Sequence, residues 1–173
     1  MKKIIPLLLA VMLCVVCVAC GPRNYTLNEN TFFITMKNIQ NRPSLYKDST
    51  LDFDCFTYEL TDVNGTVYMC GVRKCAAGFG CQCGKDTIIG FVLESTDELP
   101  APRNQSEDTN DKTWIHLSGK LKSTEKITIE IHSYLEYGSV NPNATETIYF
   151  LVFVVESCEL IQDYSHLNYY VFN

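Results

Sequence analysis

Nothing in this sequence marks a familiar catalytic centre: it has no nucleophile elbow, phosphate loop, zincin helix or dinucleotide fingerprint. Histidine is scarce, with three residues in all. His116 alternates with Trp114 on one strand face, His132 lies opposite the Ile127, Ile129, Ile131 row, and His166 falls in a late turn. They read as surface or half-buried sheet residues rather than a cluster of ligands. Lysine and arginine are absent after Lys126. An acidic chain without a basic face repels phosphate backbones, which excludes nucleic acid as a partner. No apolar stripe of helical period and no internal repeat follows the first twenty residues, so helical bundles and solenoids find no support. The cysteines beyond residue 20 lack the Cys-x2-Cys knuckle of common zinc sites.

What is present begins with an export signal. Lys2 and Lys3 precede an uninterrupted apolar run from Ile4 to Ala19, short for a membrane-spanning helix of about 20 residues. The segment Cys17-Val18-Ala19-Cys20-Gly21 resembles the lipobox of bacterial lipoproteins, with small Ala19 before the cysteine and Gly21 after it. Cys17 departs from the pattern, standing where leucine is usual, and Val16 makes Cys17 the poorer acceptor. The resemblance implies cleavage before Cys20 and acylation of Cys20 (palmitate or a similar chain), anchoring the chain to the outside of a bacterial cell membrane. The alternative is an ordinary signal peptide cut near Ala19 with Cys20 left as a thiol. Four Asn-x-Ser/Thr sequons, at Asn24, Asn64, Asn104 and Asn143, would suit a secreted eukaryotic glycoprotein. In a chain rich in Asn, Ser and Thr such matches arise by chance.

Loss of nineteen residues from 173 leaves one domain's worth of chain. Lys2 and Lys3 leave with the signal, so 12 basic residues face 20 acidic ones and the mature formal charge is −8. This charge argues against docking on anionic lipid by electrostatics, so the membrane link has to be the acyl chains. Hydrophobic content of 46% against 20% charged describes a globular chain.

The texture is β throughout. Residues 20–30 read as lipidated N-terminus and tether, and 31–173 as a single β domain. Thr31 to Met36 reads as a short strand, Asn41 to Ser44 as a turn, and Asp52 to Leu60 as a strand. Asn64-Gly65 marks a tight hairpin into Thr66 to Cys70, with φ > 0 expected at both positions. Thr87 to Leu93 reads as a buried strand, 94–112 as a long polar loop with six acids, and Trp114 to Leu121 and Ile127 to His132 as alternating strands. Asn141-Pro142 marks a turn. Thr147 to Val155 reads as a central strand covered on both faces, and Tyr169 to Phe172 as an edge strand. The expected fold is all-β, a small OB-like barrel or sandwich with a Cys/Gly-rich loop.

Cys75-Ala76-Ala77, Ile88 to Val92, Thr113 to Leu121 and Val154 to Ile161 resemble the OB-fold-like soluble part of an uncharacterised bacterial membrane-protein family found beside a predicted permease. Lys74 and Gly78 depart from that family's Cys-Cys-Ala-Ala-Asp. The resemblance covers about 52–164 and implies an OB-like core and, as partner, a permease or other envelope protein.

Six cysteines remain after the signal and Cys20. Cys70, Cys75, Cys81 and Cys83 fall within fourteen residues, interleaved with Gly71, Gly78, Gly80 and Gly84. They could converge as thiolates on one Zn2+, or form disulfides among themselves or with Cys55 and Cys158, or act as a redox pair. Arg73, Lys74 and Lys85 nearby would favour thiolates. The reading is a non-enzymatic envelope lipoprotein, a binding or accessory module with a structural cysteine cluster. The alternative is a thiol-based zinc or redox protein centred on Cys70–Cys83. Tyr164, Tyr169 and Tyr170 stand as candidates for an exposed binding surface or for core and edge packing.

Overall fold

A computed structural model describes residues 23–75, 87–134 and 140–171. The elements in chain order are β1 (Asn24–Leu27), α1 (Phe32–Asn41), a 3-10 turn (Pro43–Leu45), β2 (Thr50–Thr61), β3 (Val67–Cys75), β4 (Thr87–Glu94), β5 (Trp114–Leu121), β6 (Ile127–Tyr134), β7 (Val140–Phe150), β8 (Val152–Leu160) and β9 (Tyr170–Val171).

The long strand β2 pairs with both β5 and β3, and this closes the sheet. Its first half, Leu51 to Phe56, runs antiparallel to β5, and its second half, Phe56 to Thr61, runs antiparallel to β3. β3 pairs with β4, β4 runs parallel to β8, and β8 returns antiparallel to β5. The ring β2-β3-β4-β8-β5 is the five-stranded Greek-key barrel of the OB type. β1 and β9 add at the margins, each in parallel. The strands β6 and β7, inserted between β5 and β8, form a separate two-stranded sheet.

Alternation along the strands sorts side chains to two faces. Leu51, Phe53 and Cys55 of β2, Phe91 and Leu93 of β4, Ile115 and Leu117 of β5 and Phe153 of β8 fill the barrel. The Phe53, Phe91 and Phe153 rings meet at centroid distances of 5.3–5.7 Å. Each such burial contributes about 1.5–3 kcal/mol. Phe56 and Leu60 of β2, Cys70 and Val72 of β3, Val92 of β4 and Trp114 of β5 face outward, yet they are buried too. Their cover comes from Ile129 and Ile131 of β6, Phe150 of β7, and Leu167 and Tyr169 of the segment leading into β9.

Several expectations need correction. Thr31 to Met36 is not a strand but opens α1, because Phe32, Phe33, Met36 and Ile39 recur at helical spacing and bury one stripe against the barrel. Asn28 Oδ1 accepts from the amides of Asn30 and Thr31 before the helix, and Pro43 follows its end. The tether expected to extend to Asn30 is shorter, since Asn24 to Leu27 already pair with β2. The 62–66 hairpin is not a two-residue turn: only Gly65 has positive φ, +85°. Gly65 N–H donates to Asp62 O at 3.0 Å and Asp62 N–H to Thr66 O at 2.9 Å, a type I turn closed by a glycine bulge. Asn141-Pro142 lies inside β7, where the register jumps from His132↔Thr145 to Ser133↔Asn141 and Pro142 needs no ladder bond. The apolar run Thr147 to Val155 is not one strand. It breaks at Leu151, which carries the chain from the β6–β7 layer back into the barrel and accepts from Val92 N–H at 3.1 Å.

Candidate functional site

Cys70 and Cys75, two of the four cysteines expected to converge, do not share a face. Cys70 and Cys75 are five residues apart on β3, so their side chains point to opposite sides. Cys70 is fully buried beneath the outer cover, its thiol donating to Tyr68 O at 3.7 Å. Cys75 belongs to the inner cluster. The four-thiolate zinc site on Cys70, Cys75, Cys81 and Cys83 is therefore not assembled from β3; Cys81 and Cys83 lie outside the described residues. Cys75 is disulfide-bonded. Its partner is none of the other described cysteines, because Cys55, Cys70 and Cys158 are free thiols. Cys55 and Cys158 thus do not staple the barrel, although both point inward from strands flanking β5. Among the described residues no group of three His, Cys, Asp or Glu is arranged to hold a metal.

Burial pushes the Cys70 thiol up from its ordinary 9.0 to about 12. The same cause raises Cys55, against a smaller lowering by the Arg73 charge. Raised folded-state values mean the unfolded chain loses these protons first. For Cys70 the resulting stability is complete below pH 9 and is lost as pH rises towards 12, by up to about 1.4 kcal/mol per pH unit. Unfolding midpoints should hold from pH 7 to 8.5 and then decline, less steeply in Cys70→Ala; equal slopes in both proteins would refute burial of this thiol.

Of the cations beside the cluster, Arg73 and Lys74 have other tasks, and Lys85 lies outside the described residues. Arg73, 0% exposed, points its guanidinium into the place where β2 leaves β3 for β5. Its Nη1 and Nη2 donate to Glu29 Oε1 and Oε2 at 2.7 and 2.8 Å. Further bonds run to Asp54 O at 3.3 Å and to Asn168 O. The group lies between the rings of Phe32 (5.1 Å) and Trp114 (4.9 Å). Burial pushes the Glu29 carboxyl up, but Arg73 and Asn168 more than offset this and hold it below the usual range. One side chain thus joins the residues before α1, the barrel and the segment before β9. Lys74 pairs with Asp108 at 3.4 Å.

The acid-rich 94–112 loop is fastened rather than open. Lys112, 2% exposed, donates to the carbonyls of Asn104 and Glu107 and sits 5.1 Å over the Tyr169 ring. Asp108 accepts from Tyr169 Oη (3.1 Å) and Tyr170 Oη (3.3 Å), and Asp111 from Tyr164 Oη (3.1 Å). Trp114 Nε1 donates to Asn110 O at 2.9 Å. The three tyrosines raised as a binding surface are thus ties between this loop and the segment 164–171.

The outer side of β2, β5 and β8 is the polar sheet face left uncovered by the hairpin. Register sets Asp54 beside His116 beside Glu159, and Asp52 beside Ser118 beside Ser157. His116 Nδ1 and Asp54 Oδ1 are 2.7 Å apart, both partly exposed. No hydroxyl or thiol is hydrogen-bonded to this ring among the described residues, so the pair orients an imidazole without presenting a nucleophile to it. His132 is half-buried and His166 exposed, apart from this row. Sequence reasoning missed Glu29, Arg73, Asp108 and Lys112 as a set because their partners lie far away along the chain.

No protein-family model matches the chain, and no curated protein or solved structure matches it. The class is thus defined by fold: a small OB-type barrel whose outer β3–β4 face is occupied by its own chain.

Proposed function

We propose that the chain is a lipoprotein of the bacterial cell envelope, acylated at Cys20, whose barrel serves as a non-enzymatic binding or accessory module outside the membrane. The observation that carries this is the self-covered outer face. OB folds take oligonucleotides and sugars on this side of the barrel, and here Ile129, Ile131, Phe150 and Tyr169 fill it. A partner is left the polar face of Asp52, Asp54, His116, Ser118, Ser157 and Glu159, which suits another envelope protein, such as the permease implied by the resemblance. The lipobox-like Cys17-Val18-Ala19-Cys20 supports the anchor. The bonded Cys75, with Cys70 turned away, favours a structural staple of the glycine-rich loop, to Cys81 or Cys83, over a zinc or redox centre.

In the native host, wild type should sediment with membranes and incorporate labelled palmitate, and Cys20→Ala should lose the label entirely. Label persisting in Cys20→Ala would reject Cys20 as the anchor. Unreduced peptide mapping should recover Cys75 linked to Cys81 or Cys83, with Cys55, Cys70, Cys158 and the remaining one of Cys81 and Cys83 alkylated after denaturation without reductant. Protection of four thiols by one zinc would instead establish the metal reading.

A further inference from the structure

Pairing begins almost at the anchor. Arg23 O accepts from Thr50 N–H at 3.1 Å, and β1 is in register with β2 from Asn24 onward. Cys20 precedes Arg23 by three residues, which span at most about 11 Å when fully extended. Whatever surrounds Arg23 is therefore within reach of lipid headgroups if Cys20 carries acyl chains. Those surroundings are set by the turn between α1 and β2. Ser49 N–H donates to Tyr46 O at 3.0 Å, and the Tyr46 ring meets the Tyr25 ring of β1 at 5.0 Å.

The composition of this end is unlike the rest of the domain. Arg23, Arg42 and Lys47 are exposed, with Asp48 as the one acid beside them. None of the three cations has a carboxylate within ion-pair distance among the described residues; elsewhere Arg73, Lys74, Arg103, Lys120 and Lys122 are paired, and Lys126, between β5 and β6, is exposed without such a partner. Leu45, at the tip of the 3-10 turn, is 65% exposed, more than any other large apolar side chain described. Tyr46 beside it is partly exposed. Cations for phosphates, a tyrosine for the headgroup layer and an aliphatic side chain for the acyl boundary are the elements of an interfacial contact. A domain of charge −8 that carries unpaired positive charge next to its anchor would turn that end toward an anionic bilayer and its acidic remainder away.

We propose that Arg23, Arg42, Leu45, Tyr46 and Lys47 form a docking surface for an anionic membrane, holding the barrel against the bilayer instead of on a free tether. This rests on the lipid-anchor reading. The anchor supplies a high local concentration, so a patch too weak to bind alone suffices.

The test uses the full mature protein extracted from membranes, its Cys20 acylation verified by mass, and reconstituted in phosphatidylglycerol–phosphatidylcholine vesicles, in phosphatidylcholine vesicles and in neutral detergent. Backbone hydrogen exchange of 42–50 should slow in the anionic vesicles by about fivefold for each cation engaged. It should return to the detergent rate in the Arg42→Glu/Lys47→Glu protein, with exchange in β5 unchanged as the control for folding. Equal rates for 42–50 in all three environments, with Cys20 acylated, would overturn the docking surface while leaving the anchor intact. A chain that lacks acyl groups and stays off the vesicles would overturn both.

Discussion

Arg73→Leu should lower the unfolding free energy by about 3–5 kcal/mol, the usual effect of removing one partner from a buried ion pair. For a domain of this size that is roughly a 6–20 °C drop in Tm. The magnitude follows from what the leucine would leave behind. Glu29 would lose both short hydrogen bonds and keep only Asn168 as partner in a half-buried place. The carbonyls of Asp54 and Asn168 would lose a charged donor, and Phe32 and Trp114 the cation between them. Glu29→Gln should also destabilise, and the double variant should be less damaging than the sum, since each change strands the partner of the other. Because Glu29 is held below its ordinary range, its contribution is present above pH 4.5 and fades as acid protonates it. Denaturant unfolding of the three proteins at pH 7 and 4 checks both points. An Arg73→Leu midpoint equal to wild type would show that the knot adds nothing to closure of the barrel.

The second large effect is expected at Gly119. This residue sits where the β5–β8 register shifts, opposite Val155. A Cβ placed there would lie 2.1 Å from Val154 O and 2.9 Å from the Phe153 ring. The oxygen belongs to the strand it must pair with, and the ring stands in the middle of the Phe53–Phe91–Phe153 cluster, so neither can yield without opening the barrel. Gly119→Ala should therefore cost at least the upper end of the ordinary overpacking range, about 3 kcal/mol, and Gly119→Val more. Thermal unfolding measures this directly. A Gly119→Ala Tm within one or two degrees of wild type would mean that β5 and β8 do not approach as described.

The strands β4, β5 and β6 were legible because each carries its own signal: apolar residues at period two, or a compact run between turn residues. What escaped the sequence depends on partners remote in the chain. Phe32, Phe33, Met36 and Ile39 fit a helix, but their aromatic and β-branched neighbours share the texture of a strand, and the barrel end they cover decides between the two. The run ending in Phe150-Leu151-Val152-Phe153 has no polar gap, so nothing local says that the chain changes sheets at Leu151. Parity along β3 did hold the answer for the cysteines, since five residues separate Cys70 from Cys75 and an odd separation sends them to opposite faces. Close spacing among interleaved glycines drew attention to convergence instead. Arg73 looked like a promoter of thiolates because proximity in sequence was the only proximity visible; Glu29 and Asn168 lie far along the chain in either direction.

The intact mass of the mature protein, extracted from host membranes and alkylated after denaturation without reductant, bears most directly on the account. The prediction is a chain beginning at Cys20, heavier than its sequence by acyl groups, with four alkylated thiols and no metal retained under native conditions. A chain beginning elsewhere, or beginning at Cys20 with that thiol unmodified, would contradict it.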